Sequence, residues 1–116
     1  MILKIIAPAL LALLLNHAAY AADIVGAWQV RGSVFFNSVV TICHFQTDTG
    51  GIGATCESDG QLGPFTPATL ANGQVIWSWD SGPAVLTFQG KFTSDTTMKG
   101  DIKVRGFTGS FTATKQ

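Results

Sequence analysis

Residues 74–114, QVIWSWDSGPAVLTFQGKFTSDTTMKGDIKVRGFTGSFTAT, decide the fold. Taken two at a time, they place Val75, Trp77 and Trp79 on one face, then Leu86, Phe88, Gly90 and Phe92. Met98, Gly100, Ile102 and Val104 follow, then Phe107, Gly109, Phe111 and Ala113. A period of two sets such residues on one side of a strand, here with Thr108, Ser110, Thr112 and Thr114 on the wet side of the last one. Between the runs lie Asp80-Ser81-Gly82-Pro83, residues 93–96, and Arg105-Gly106, all turn chemistry. Four consecutive strands are expected, over 74–79, 84–92, 97–104 and 107–114.

Upstream, Asn72-Gly73 signals a type I′ hairpin that joins a strand over 66–71 to the quoted stretch. Residues 59–67 carry Gly60, Gly63, Pro64 and Pro67 and read as loop-rich. A hairpin pairs 38–46 with 52–58 through Thr47-Asp48-Thr49-Gly50-Gly51 and sets Cys43 opposite Cys56. The first strand covers 24–30, with 31–37 as its connection to the next. No helix is expected after residue 22. About eight antiparallel strands with short successive connections favour one sheet rolled on itself, an all-β up-and-down barrel, over two stacked layers.

Residues 1–21 read as a cleaved signal peptide. Lys4 supplies the basic start, residues 5–15 are apolar apart from Pro8, and Ala19-Tyr20-Ala21 presents small residues at the cleavage positions. Cleavage is expected after Ala21, with Ala22 as the alternative. A membrane span needs about 20 apolar residues, roughly twice this run before Asn16 and His17 interrupt it. The expectation is a single domain over 22–116, exported to the periplasm or the extracellular medium, with no stable membrane insertion of the mature chain. An even cysteine count in an exported chain favours a Cys43–Cys56 disulfide over a metal site or a catalytic thiol. The basic residues are scattered, so no run tracks a phosphate backbone and nucleic acid is not an expected partner.

Gly26-x-Trp28 on the first strand of such a meander resembles the opening of the calycin group: lipocalins, avidins and small bacterial metalloprotease inhibitors. The resemblance implies that Trp28 caps one barrel end with a basic residue packed across it, Arg105 or its rival Arg31. The chain lacks room for the large lidded loop of lipocalins and for the N-terminal arm of the inhibitors. The polar set with which avidins read biotin has no residue-by-residue counterpart.

Catalytic chemistry is sparse. His44 is the one histidine after residue 21, and its pairing with Glu57 reads either as proton transfer or as a solvated cross-strand pair. Asp48, Asp59, Asp80 and Asp95 sit in turns, where bonds to nearby backbone compete with calcium as their explanation. No cluster has zinc-ligand spacing, and no cofactor is implied. Trp77, Trp79, Phe88 and Phe92 form the sharpest constellation, with Phe35 and Phe36 as a lid, a partner contact, or a continuation of the core. Short strands and large inward rings favour a filled barrel, while Gly90, Gly100 and Gly109 leave room for a cavity. Val40, Ile42 and His44 face outward if Cys43 faces in, and offer a partner surface. Two functions follow as expectations: a non-enzymatic barrel taking a small hydrophobic ligand at its open end, or an interaction or inhibitor module acting through its loops and the outer face of the second strand.

Overall fold

Ten strands follow one another along residues 24–116, the span that this computed structural model describes. The signal peptide expected over 1–21, with its cleavage point, lies outside these residues. The strands are β1 (Gly26–Val34), β2 (Asn37–Asp48), β3 (Gly51–Ser58), β4 (Gln61–Leu62), β5 (Thr66–Pro67), β6 (Thr69–Ala71), β7 (Gln74–Asp80), β8 (Val85–Phe92), β9 (Thr97–Val104) and β10 (Phe107–Lys115). Nine pair antiparallel in the order β4-β3-β2-β1-β10-β9-β8-β7-β6, with β5 pairing antiparallel to β3, so apart from the β1–β10 seam each long hairpin joins neighbours in sequence. The up-and-down architecture is the one the alternation implied, with three very short strands raising the number. No helix among the described residues is long and apolar enough to cross a membrane.

Two local readings need correction. The connection expected over 31–37 is mostly strand: β1 runs to Val34, and Phe35-Phe36 forms the turn into β2. Two phenylalanines hid this hairpin, because neither is a residue that turn chemistry selects. The strand expected over 66–71 is split at Ala68. Thr66 and Pro67 pair with Ala54 and Gly53 of β3, whereas residues 69–71 pair with β7. Pro67 has no N–H to extend a ladder, which suits it to such a break.

That break closes the wall. The Thr66 hydroxyl donates to Ser78 O of β7 at 2.6 Å and lies 3.3 Å from Ala54 O of β3. The Ala68 N–H donates to Ile52 O at 2.9 Å. One short segment thus ties the β3 side of the sheet to the β7 side.

The centre of the barrel is solid. Trp77 stacks on Phe88 with centroids 4.8 Å apart and meets Phe45 and Phe111 edge-on at 5.0 and 5.7 Å. Around these rings Val30, Val75, Met98 and Ile102 are fully buried. Cys43 and Cys56 are directly opposed on β2 and β3 and form the disulfide. The inward glycines serve the curvature: Gly90 and Gly100 oppose each other on β8 and β9, and a Cβ on Gly100 would strike the backbone carbonyl of Gln89. The sheet therefore folds most tightly where side chains are missing.

Candidate functional site

At the end of the barrel where β1 turns into β2, the solid core gives way to a cavity of about 520 Å³. Trp79 and Leu86 form its base, just beyond the Trp77–Phe88 stack. Val34, Val39 and Val104 supply further apolar wall, and Phe35, Phe107 and Arg105 stand around the mouth. The Phe35 and Phe107 rings meet edge-on with centroids 4.4 Å apart, yet they are 63% and 49% exposed. Ligand sites of small molecules fall in this size range, lined by apolar groups with a few polar ones among them.

Three tight turns build the rim. Arg105-Gly106 joins β9 to β10 with both residues at positive φ. Residues 81–84 are held by Ser81 N–H and Oγ, which both reach Ala84 O, and by Gly82 N–H donating to Asp80 Oδ1. The Arg105 guanidinium donates from Nη2 to Pro83 O at 2.6 Å and so straps one turn to the other. In the third turn Phe35 holds a φ of 57°, a left-handed backbone that costs a bulky L-residue about 1–2 kcal/mol. A strained, exposed ring at a cavity mouth is the kind of feature that clusters at functional sites.

Among the described residues two buried side-chain donors lack acceptors, the Nε1 atoms of Trp77 and Trp79. Trp77 is packed among the rings of Phe45, Phe88 and Phe111. Trp79 lines the cavity, and an unpaired indole N–H in an apolar setting costs about 1–3 kcal/mol.

Of the six residues expected to hold a ligand, the structure brings Phe35 and Trp79 to this cavity. Trp77 and Phe88 are sealed in the core beneath it, because the barrel is only wide enough at that level for its own rings. Phe92 belongs to the opposite end, where it packs edge-on against Trp28 at 6.0 Å. Phe36 is 99% exposed on the hairpin tip and lines no part of the cavity, and Phe35 is a rim residue rather than a continuation of the core. Phe107, taken as inward by alternation, is also rim. Leu86, Val104 and Pro83 complete the wall; alternation marked the first two as inward but not their level along the barrel.

The structure separates the two residues of the end-capping reading. Trp28 is fully buried and its Nε1 donates to Ile24 O at 2.8 Å. Arg105 does not pack across it, since Trp28 pairs with Lys115 at one end of β10 while Arg105 precedes the other end. Arg31 is exposed on the outer face. The residue beside this end is Lys115, whose side chain lies over Gly26.

On the outer face of β2, Val40 is exposed, Ile42 and His44 are half-buried, and Cys43 points inward. His44 Nε2 lies 2.6 Å from Glu57 Oε2. Among the described residues no group of three His, Cys, Asp or Glu side chains is placed to hold a metal ion. Asp48 and Asp80 each accept a backbone N–H two residues on, the turn role expected of them.

No protein-family model matches the chain, and no curated protein matches it. Among solved structures it is similar to the redesigned β-barrel b11L5F_LGL, at 20% identity and a TM-score of 0.62 over 84% of this chain and 96% of that one. It is also similar to a second redesigned β-barrel, mFAP1 bound to DFHBI, at 18% identity and a TM-score of 0.59 over 84% of this chain and 99% of that one. These likenesses establish the architecture, an all-β antiparallel barrel-like fold.

Proposed function

We propose that this chain is an exported, non-enzymatic barrel of calycin-like build that binds a small, largely apolar molecule at its open end. The observation that carries the reading is the cavity itself: about 520 Å³, with an apolar base of Trp79 and Leu86, and open to solvent beside the contacting rings of Phe35 and Phe107. The DFHBI complex of the similar redesigned barrel supports the reading as a precedent for small-molecule binding on this fold. The Cys43–Cys56 disulfide is compatible with export.

The test is titration of the oxidised protein with N-phenyl-1-naphthylamine, a neutral environment-sensitive probe. Saturable probe emission with quenching of tryptophan fluorescence is expected, and Trp79→Phe should remove most of the quenching. A linear, unsaturable response would overturn the proposal.

A second reading, an interaction or inhibitor module, draws on Phe36 alone. Its ring stands free of the cavity at the tip of a hairpin, as a contact for one protein partner would. Under that reading Phe36→Ser abolishes capture of the partner while leaving probe binding intact.

A further inference from the structure

Three of the six basic residues among the described ones, Arg31, Lys91 and Lys99, are scattered in sequence but aligned in space. Gln74 pairs with Lys91, Lys91 with Lys99, Lys99 with Thr112, and Thr112 with Arg31, forming one outward row across β7, β8, β9, β10 and β1. Adjacent strands lie about 4.8 Å apart, so Lys91 and Lys99 are next to each other and Arg31 stands two strands beyond Lys99. Like charges directly opposite on a sheet are destabilising. No hydrogen bond or ion pair engages Lys91, Lys99 or Arg31, although Asp101 is exposed on the same face.

This row runs along a depression of about 690 Å³ in the outer wall, distinct from the end cavity. Its floor includes Gly32 and Gly100, at the tight fold of the sheet. Between the cations its walls carry the amide of Gln89 and the hydroxyls of Ser110 and Thr112, none engaged in a hydrogen bond within the protein. Lys91 and Lys99 stand face to face and repel each other, and with Arg31 they outnumber the one acidic residue of the groove, Asp101, so the groove carries a net positive charge that an anion would neutralise.

We infer that this groove binds a strand of acidic polysaccharide. The three cations receive its carboxylates or sulfates, and the amides and hydroxyls between them receive the sugar hydroxyls. A flat bilayer does not enter a depression, and the groove offers no exposed ring on which nucleic-acid bases would stack. The site shares only the fold with the end cavity and stands whether or not that cavity binds a ligand.

The experiment uses the mature, oxidised protein in low salt with polygalacturonate, heparin, dextran, polyglutamate and single-stranded poly-dT. Binding to at least one acidic glycan, with dextran inert, is expected, and the carboxylated and sulfated arms tell which acid the site takes. Arg31→Gln, Lys91→Gln and Lys99→Gln should each weaken it by about fivefold and flatten its salt dependence. Lys103→Gln, outside the row, should leave it unchanged, and Asp101→Asn should strengthen it. The inference is overturned if neither acidic glycan binds, if polyglutamate or poly-dT binds as tightly, or if Lys103→Gln matters as much as the row variants.

Discussion

Thr66 and Ser78 are joined by a hydrogen bond of 2.6 Å that links the split edge segment to β7, twelve residues further along the chain. Because the same hydroxyl lies 3.3 Å from Ala54 O, one side chain stands between the two halves of the wall. Closing the sheet here hides edges that would otherwise pair with other chains.

Thr66→Val keeps the β-branched shape and removes the donor. It should cost about 1–2 kcal/mol, from one lost bond and a partly buried carbonyl left unpaired. Urea denaturation measures the loss, and amide exchange should rise first around residues 66–71. Thr66→Ser should restore most of both.

The Cys43–Cys56 bridge closes a short loop, with a sequence separation of 13. Replacing both cysteines by alanine should lower stability by about 3 kcal/mol on chain-entropy grounds. The far-ultraviolet circular dichroism should persist in the surviving folded fraction, because the hairpin register is also set by its turn and by the alternation of Phe45 and Ala54 on the inner face. A double variant as stable as the parent would show that the hairpin is already ordered in the unfolded chain.

Gly100 is in contact with the backbone of β8, so the collision of an added methyl cannot be relieved by a rotamer change. Gly100→Ala should therefore destabilise by about 1–3 kcal/mol. Gly50→Ala, in an exposed turn where the nearest atom to a new Cβ is 3.5 Å away, should cost far less. Thermal melts of the two variants give the comparison.

Phe35→Asn separates stability from binding. Asparagine accepts a positive φ more readily, which offsets loss of the edge-on contact with Phe107, itself worth about 0.5–1.5 kcal/mol. The melting temperature should change little while affinity for N-phenyl-1-naphthylamine falls severalfold. Equal affinity would remove Phe35 from the cavity mouth as a functional element.

Most strands, the hairpins from β2–β3 and from β6 onward, and the disulfide were legible in the chain because each depends on local physics, whereas the Phe35-Phe36 turn and the break at Ala68 carry no such local signal. Alternation assigned Val75, Trp77, Leu86, Phe88, Met98, Ile102 and Phe111 to the inside, where they are buried. The Asp48–Gly51 turn is consistent with the register that opposes Cys43 to Cys56. Alternation failed to separate Phe88 from Phe92 and Phe107, since a period of two gives the face of a side chain and not its height along the barrel. Height follows from the stagger of all the strands together, and it made Trp77 core, Trp79 cavity wall and Phe92 part of the far end. The row from Gln74 to Arg31 likewise needs four pairings in succession. Composition and periodicity determined that this chain is a small antiparallel all-β domain; only closure of the sheet decided which rings it buries, which it leaves around a cavity, and which charges it aligns.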